Sequence, residues 1–103
     1  MAGKSFGLLC EALMDLAAEP DVQEQRLAGM VIRDELALDF ANSYEVSQAR
    51  GDELDPVAWH VLDLISAELS VPPGDPLWSE DLQAARWSRL RLLASEALAH
   101  VPG

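Results

Sequence analysis

Apolar residues recur every three to four positions along four stretches of the chain, the spacing that puts a hydrophobic stripe on one side of an α-helix. In the first, Phe6, Leu9, Cys10, Leu13, Leu16 and Ala17 share a face. Ser5 is placed to cap its start, and Pro20 bounds its end, because the residue before a proline disfavours helix. The second opens at Asp21, with Glu24 three residues on in the arrangement of a capping box. It carries one stripe of Leu27, Met30, Val31, Leu38 and Ala41, with Ile32, Leu36 and Phe40 round the side. Its pattern runs to Arg50, with Gly51 suited to the left-handed residue after a helix. About 29 residues is long for a globular helix, so the alternative is a break near Asn42-Ser43. A helix apolar on two faces is expected at the centre of a fold, with neighbours on both sides.

The third stretch has Asp55 as cap and Pro56 at the first helical position, where a missing N–H costs nothing. Val57, Ala58, Val61, Leu62, Ile65 and Leu69 fill one face, and Val71-Pro72-Pro73-Gly74-Asp75-Pro76 stops the helix. The last stretch is predicted from about Ser79 to about His100, with Leu90, Leu93, Ala94, Ala97, Leu98 and Val101 as its stripe. No segment alternates apolar and polar residues as a half-buried strand does. The expected architecture is all-α, a four-helix bundle forming a single domain over residues 1–103, with a longer connection before the last helix.

Charge changes this picture from generic to directional. Between Arg33 and Arg86 stand twelve acids and one base, Arg50, and the whole chain carries a formal charge of −11. That excess is beyond what solubility asks of a small domain. It opposes direct contact with nucleic acid phosphates or an anionic membrane surface, and favours a cationic partner. Apolar residues make up 50% of the chain and are spread through every segment, which separates it from a disordered acidic tail. Cys10 is the sole cysteine, so no intrachain disulfide forms, and the chain reads as a cytoplasmic protein. Neither a signal peptide nor a run of roughly 20 apolar residues is found.

Candidate chemistry is sparse. His60 and His100 fall in different helices, and Cys10 lies on an apolar stripe, where a thiol behaves as a small hydrophobe. No nucleophile is paired with a base, and neither zinc nor di-iron spacing is present. Asp52, Glu53 and Asp55 cluster, but a calcium loop needs ligands at fixed alternating positions, which this stretch does not supply. No enzyme activity, cofactor or metal is expected. Arg86, Arg89 and Arg91 form the one basic cluster, read as internal pairing with Asp63, Glu68 or Glu80. The aromatic residues carry more weight, since Trp and Tyr dominate binding hot spots. Trp78 follows a proline-rich turn and is open to either core or interface, Tyr44 lies late in the second helix, and Trp59 and Trp87 are read as core ahead of interface.

From Trp59 to Leu98 the order is a helix, then Pro-Gly-Asp-Pro-Leu-Trp-Ser-Glu-Asp-Leu, then an Arg- and Leu-rich helix. In this order, and in being short, acidic and helical, the chain resembles bacterial toxin immunity proteins, nearest the colicin D-type immunity family. The resemblance implies a helical bundle that caps a nuclease toxin, its acids standing where RNA phosphates would bind. The residues expected to meet such a partner are Asp34, Glu35, Asp39 and Glu45 on the second helix and Asp52, Glu53 and Asp55 in the following turn. Tyr44 or Trp78 would anchor the contact. The expected function is therefore an immunity protein or antitoxin that neutralises a basic toxin. A small acidic secretion chaperone or adaptor is the alternative, as is a self-associating helical protein.

Overall fold

Prolines, one glycine and two aspartates set most of the helix boundaries. The computed structural model describes residues 6–29, 31–50, 53–79 and 81–101. Among these residues there are five α-helices and no strand: α1 (Gly7–Ala17), α2 (Pro20–Arg26), α3 (Ile32–Gln48), α4 (Pro56–Leu69) and α5 (Ala85–Leu98). A 3-10 turn, Pro76–Trp78, precedes α5. The all-helical class matches the periodicity, while the helix count differs from the four expected.

The difference arises in the second stretch. It breaks between Arg26 and Ile32, well before Asn42-Ser43, where Gly29 takes φ 85, a conformation that L side chains rarely adopt. Pro20 starts α2 rather than merely ending α1, and Glu19 occupies the cap position with no side-chain bond. Asp21 is thus inside the first turn, and the Asp21–Glu24 capping box does not form at the helix start. Gln23 explains why α2 folds back against α1. Its Nε2 donates to the Asp15 and Leu16 carbonyls at 3.0 and 3.1 Å, satisfying backbone acceptors left over at the end of α1. Asn42 and Ser43 continue α3 without interruption. Ser43 is buried because its hydroxyl donates back to the Asp39 and Phe40 carbonyls at 2.9 and 3.0 Å.

α4 follows the sequence closely. Asp55 accepts the Val57 N–H at 2.8 Å, and Pro56 takes the first helical position. α5 starts at Ala85, later than predicted, because the residues before it spend their polar groups on turns. Ser79 closes the 3-10 turn onto Pro76, and Asp81 accepts the Gln83 N–H at 2.9 Å. Ser5 and Gly51, expected to bound α1 and the second stretch, lie outside the described residues, as do Met30, Asp52 and Glu80.

One core cluster joins α1, α3, α4 and α5. α1 contributes Leu9, Leu13 and Leu16, α3 Leu36 and Phe40, α4 Ala58, Val61, Leu62 and Ile65, and α5 Trp87, Leu90, Ala94 and Ala97. The Cα radius of gyration is 13.3 Å, the value of about 13 Å expected for a compact chain of this length. α1 packs extensively on α5 and α3, and α4 on α5, whereas α3 and α4 barely touch. The second stretch is therefore not central: α3 is an edge helix, with one apolar face inward and the other outward. Leu36 and Phe40 are buried, while Val31 and Leu38 of the expected main stripe are 69% and 54% exposed. Among the described residues no helix is long and apolar enough to cross a membrane.

Candidate functional site

Because α3 and α4 are splayed, an open groove of about 510 Å³ lies between them. Its α3 wall is a row at helical spacing: Asp34, Leu38, Ala41, Glu45 and Gln48. Leu69 and Ser70 form the other wall at the end of α4, and Trp78 closes one end from the 3-10 turn. Phe40 and Tyr44 supply the floor. A second recess of about 370 Å³ continues past Trp78 and Asp34 to Val31, Val71 and Pro73. The groove thus has an apolar and aromatic interior between carboxylates at Asp34 and Glu45.

The aromatic groups are held by specific partners. Tyr44 stacks on Phe40 with centroids 5.4 Å apart, and Trp59 leans against it at 6.0 Å. The Tyr44 hydroxyl donates to Asp63 on α4, a polar link across the splayed pair. Burial of the phenol and then this carboxylate push the Tyr44 pKa up to about 12, so the ring is neutral and a donor at any physiological pH. Trp78 donates its indole N–H to the Pro72 carbonyl at 2.9 Å and meets the Trp87 ring edge at a centroid distance of 6.5 Å. It is half-buried and lines both the groove and the adjoining recess. Trp87 is core, its indole donating to the Leu77 carbonyl at 3.0 Å.

No known protein family, curated protein or solved structure matches this chain. The site is therefore argued from its own geometry. Of the residues singled out in the sequence, Asp34, Tyr44, Glu45 and Trp78 converge on the α3–α4 groove. Asp39 does not; it faces a smaller groove of about 290 Å³ between α1 and α3, beside Leu8, Glu11, Asp15 and Val46. Glu35 lines neither groove. The turn acids have local roles: Glu53 chelates Arg50 through two bonds of 3.1 and 2.9 Å, and Asp55 caps α4. Arg50 also lies 3.9 Å above the Phe6 ring, so the base within the acidic block is committed to structure. Asp52 lies outside the described residues.

Much of the basic cluster is paired internally. Arg86 pairs with Asp75 at 2.7 Å, an acid not among those expected, while Glu80 lies outside the described residues. Arg91 donates to the Leu82 carbonyl and to Ser88 at 2.6 and 2.8 Å. Asp75 also accepts the Leu77 N–H, and this bond, followed by Arg86, holds its carboxyl below the usual range. Cys10 is half-buried and its burial raises the thiol pKa, which disfavours the reactive thiolate. Among the described residues no three His, Cys, Asp or Glu side chains are grouped to hold a metal ion.

Leu38 and Leu69 are groove residues that sequence reasoning missed, and Asp63 acts on the groove only through its bond to Tyr44. Leu38 did carry a signal, since it belongs to one of two apolar stripes on the same helix. Two such stripes are equally consistent with a helix between two neighbours and with an edge helix showing one face to solvent. Leu69 was read as core, and nothing in sequence spacing pairs Asp63 with Tyr44 across a loop.

Proposed function

We propose that this chain is a small acidic binding protein that neutralises a basic partner protein. In its most specific form it is an immunity protein or antitoxin that covers the cationic active site of a toxin, a nuclease in the first instance. A nuclease site is cationic because it binds a polyanion, and a helix carrying Asp and Glu along one row can meet several such cations together. The observation that carries this reading is the convergence of Asp34, Glu45, Tyr44 and Trp78 on one open groove, in a chain with a formal charge of −11. Carboxylates at the rim steer a basic partner and set its orientation, while half-buried aromatic rings offer area at small entropic cost.

A secretion chaperone or adaptor is the second reading, favoured by the apolar floor of the same groove. It predicts unfolded or terminal peptide clients, whereas an inhibitor binds a folded domain. The test is to retain partners from the source lysate on tagged protein, then assay each purified basic partner for nucleic acid cleavage. Loss of cleavage at one equivalent of this chain, restored by Asp34→Lys/Glu45→Lys, supports the inhibitor. Partners that stay fully active at saturation, or that bind only when unfolded, rule it out.

A further inference from the structure

We propose that the α3–α4 groove seats one amphipathic, basic α-helix of the partner, its apolar stripe on Leu38, Tyr44, Leu69 and Trp78 and its Lys or Arg residues flanking Asp34 and Glu45. This rests on the reading of a basic protein partner and specifies how that partner is held. Three observations converge. The first is unspent apolar surface: Leu38 is 54% and Val31 69% exposed, on the face of α3 opposite the one that packs on the core. The second is shape. From Asp34 to Gln48 the α3 wall rises by about 21 Å at 1.5 Å per residue, enough for a partner helix of about 14 residues. The groove is a trough running along two helices, continued by the recess at Val31 and Val71, and not an enclosed cavity that would surround a small ligand.

The third observation is charge, and it selects the occupant. A second copy of this chain would bring another −11 charge against Asp34 and Glu45. An acidic or neutral helix would leave those carboxylates unanswered. A helix with Lys or Arg on both sides of an apolar stripe satisfies the floor and the rim together, in the helix-in-groove mode of recognition. Asp63 adds to the same field from α4, although its Oδ1 is engaged by Tyr44.

The experiment uses the full chain and two synthetic 14-residue peptides of leucine and lysine with identical composition. In one the leucines are spaced to form a helical stripe, and in the other their order is permuted to remove it. Backbone amide NMR maps the binding site, and tryptophan fluorescence gives the affinities at low and high salt. We expect the striped peptide to shift amides of residues 34–48, 66–70 and 78 and to bind at least tenfold more tightly than the permuted one. Leu38→Asp is decisive because the two explanations disagree on sign. It weakens helix-in-groove binding by removing apolar contact, yet strengthens any purely electrostatic attraction of lysine peptides. Leu38 is on the surface, so the variant folds, as circular dichroism will verify.

Tenfold weaker binding of the striped peptide to Leu38→Asp, and a weaker salt dependence in Asp34→Asn/Glu45→Gln than in the parent chain, support the proposal. Equal binding of both peptides, with shifts scattered over the acidic surface and tighter binding to Leu38→Asp, overturns the groove while leaving an acidic binder. No binding of either peptide at low salt overturns both the groove and the reading of this face as a site for basic partners.

Discussion

Replacing Trp87 by Phe tests whether the last helix is locked onto the proline-rich connection in the way the fold requires. Trp87 is 1% exposed and donates its indole N–H to the Leu77 carbonyl at 3.0 Å, inside the core. Phenylalanine keeps the six-membered ring and removes the donor. The Leu77 carbonyl is then buried without that partner, a loss of about 1–3 kcal/mol. The deleted part of the indole also includes two buried carbons, about 0.8 kcal/mol each. Partial relaxation around the smaller ring lowers the sum, and full truncation of a buried Trp costs about 3–5 kcal/mol, which sets a ceiling. The expected destabilisation is about 2–4 kcal/mol, a large part of the stability of about 5–15 kcal/mol typical of a domain. Urea unfolding followed by far-ultraviolet circular dichroism measures it, and Tm should fall by at least about 8 °C. Leu92→Ala is the control, since Leu92 is 73% exposed and its loss should change stability by less than about 0.5 kcal/mol. If Trp87→Phe is as mild as Leu92→Ala, the 3-10 turn does not sit against α5 through this bond and the argument fails.

Three further outcomes follow from named groups. Tyr44 is the sole tyrosine, and its pKa of about 12 against the ordinary 10 means its stabilising effect is present below pH 10 and is lost as pH rises toward 12; ultraviolet titration should show no tyrosinate by about pH 10.5, and a midpoint at the ordinary value refutes the burial. Asp63→Asn should bring that titration only part of the way back, because burial of the phenol is the larger cause. Gly29→Ala places a residue at φ 85 with nothing within 4 Å of the added Cβ, so its expected cost of about 1–2 kcal/mol is entirely backbone strain; an unchanged urea midpoint means the α2–α3 break does not depend on that conformation. Asp75, with its folded pKa lowered, stabilises the protein above about pH 4 and loses that contribution as pH falls through the folded value; Asp75→Asn should flatten the decline of the urea midpoint between about pH 5 and 2, and an unchanged slope counts against the Leu77 and Arg86 contacts.

Local grammar was legible wherever a single residue decides a boundary. Asp55 and Pro56 start α4, and the prolines after Val71 end it, because each acts through its own backbone or the next two residues. The all-helical class was legible too, since a 3.6-residue stripe has no strand equivalent. The break at Gly29 was hidden, because a lone glycine inside a periodic run is tolerated in many helices. What forces it here is long-range: Gln23 bonded to the end of α1, with Leu27 8% exposed in the core. The site was half legible. Side-chain type singled out Asp34, Glu45, Tyr44 and Trp78, which line one groove in the structure. Spacing said nothing of the splay between α3 and α4 that makes them one surface, nor that Glu53 and Asp55 are committed to their own turn.

The position of α3 separates folding from binding in a way that makes the groove a better candidate than any acid count. Its inward residues, Leu36, Phe40, Ser43 and Ser47, are buried, so substituting them tests the core. Its outward row holds Asp34, Leu38, Ala41 and Glu45, and Leu38 and Ala41 are exposed. Folding therefore places little constraint on that row, and a leucine there gains nothing from water. A chain with a strong acidic excess has no folding reason to alternate carboxylates with apolar residues along an edge helix beside an open trough. The basic amphipathic helix proposed above would supply the reason, since each side then covers the other's apolar stripe and neutralises its charge. Substitutions confined to Asp34, Leu38 and Glu45 should accordingly leave stability within about 0.5 kcal/mol while changing association, the reverse of what Trp87 and Gly29 will show.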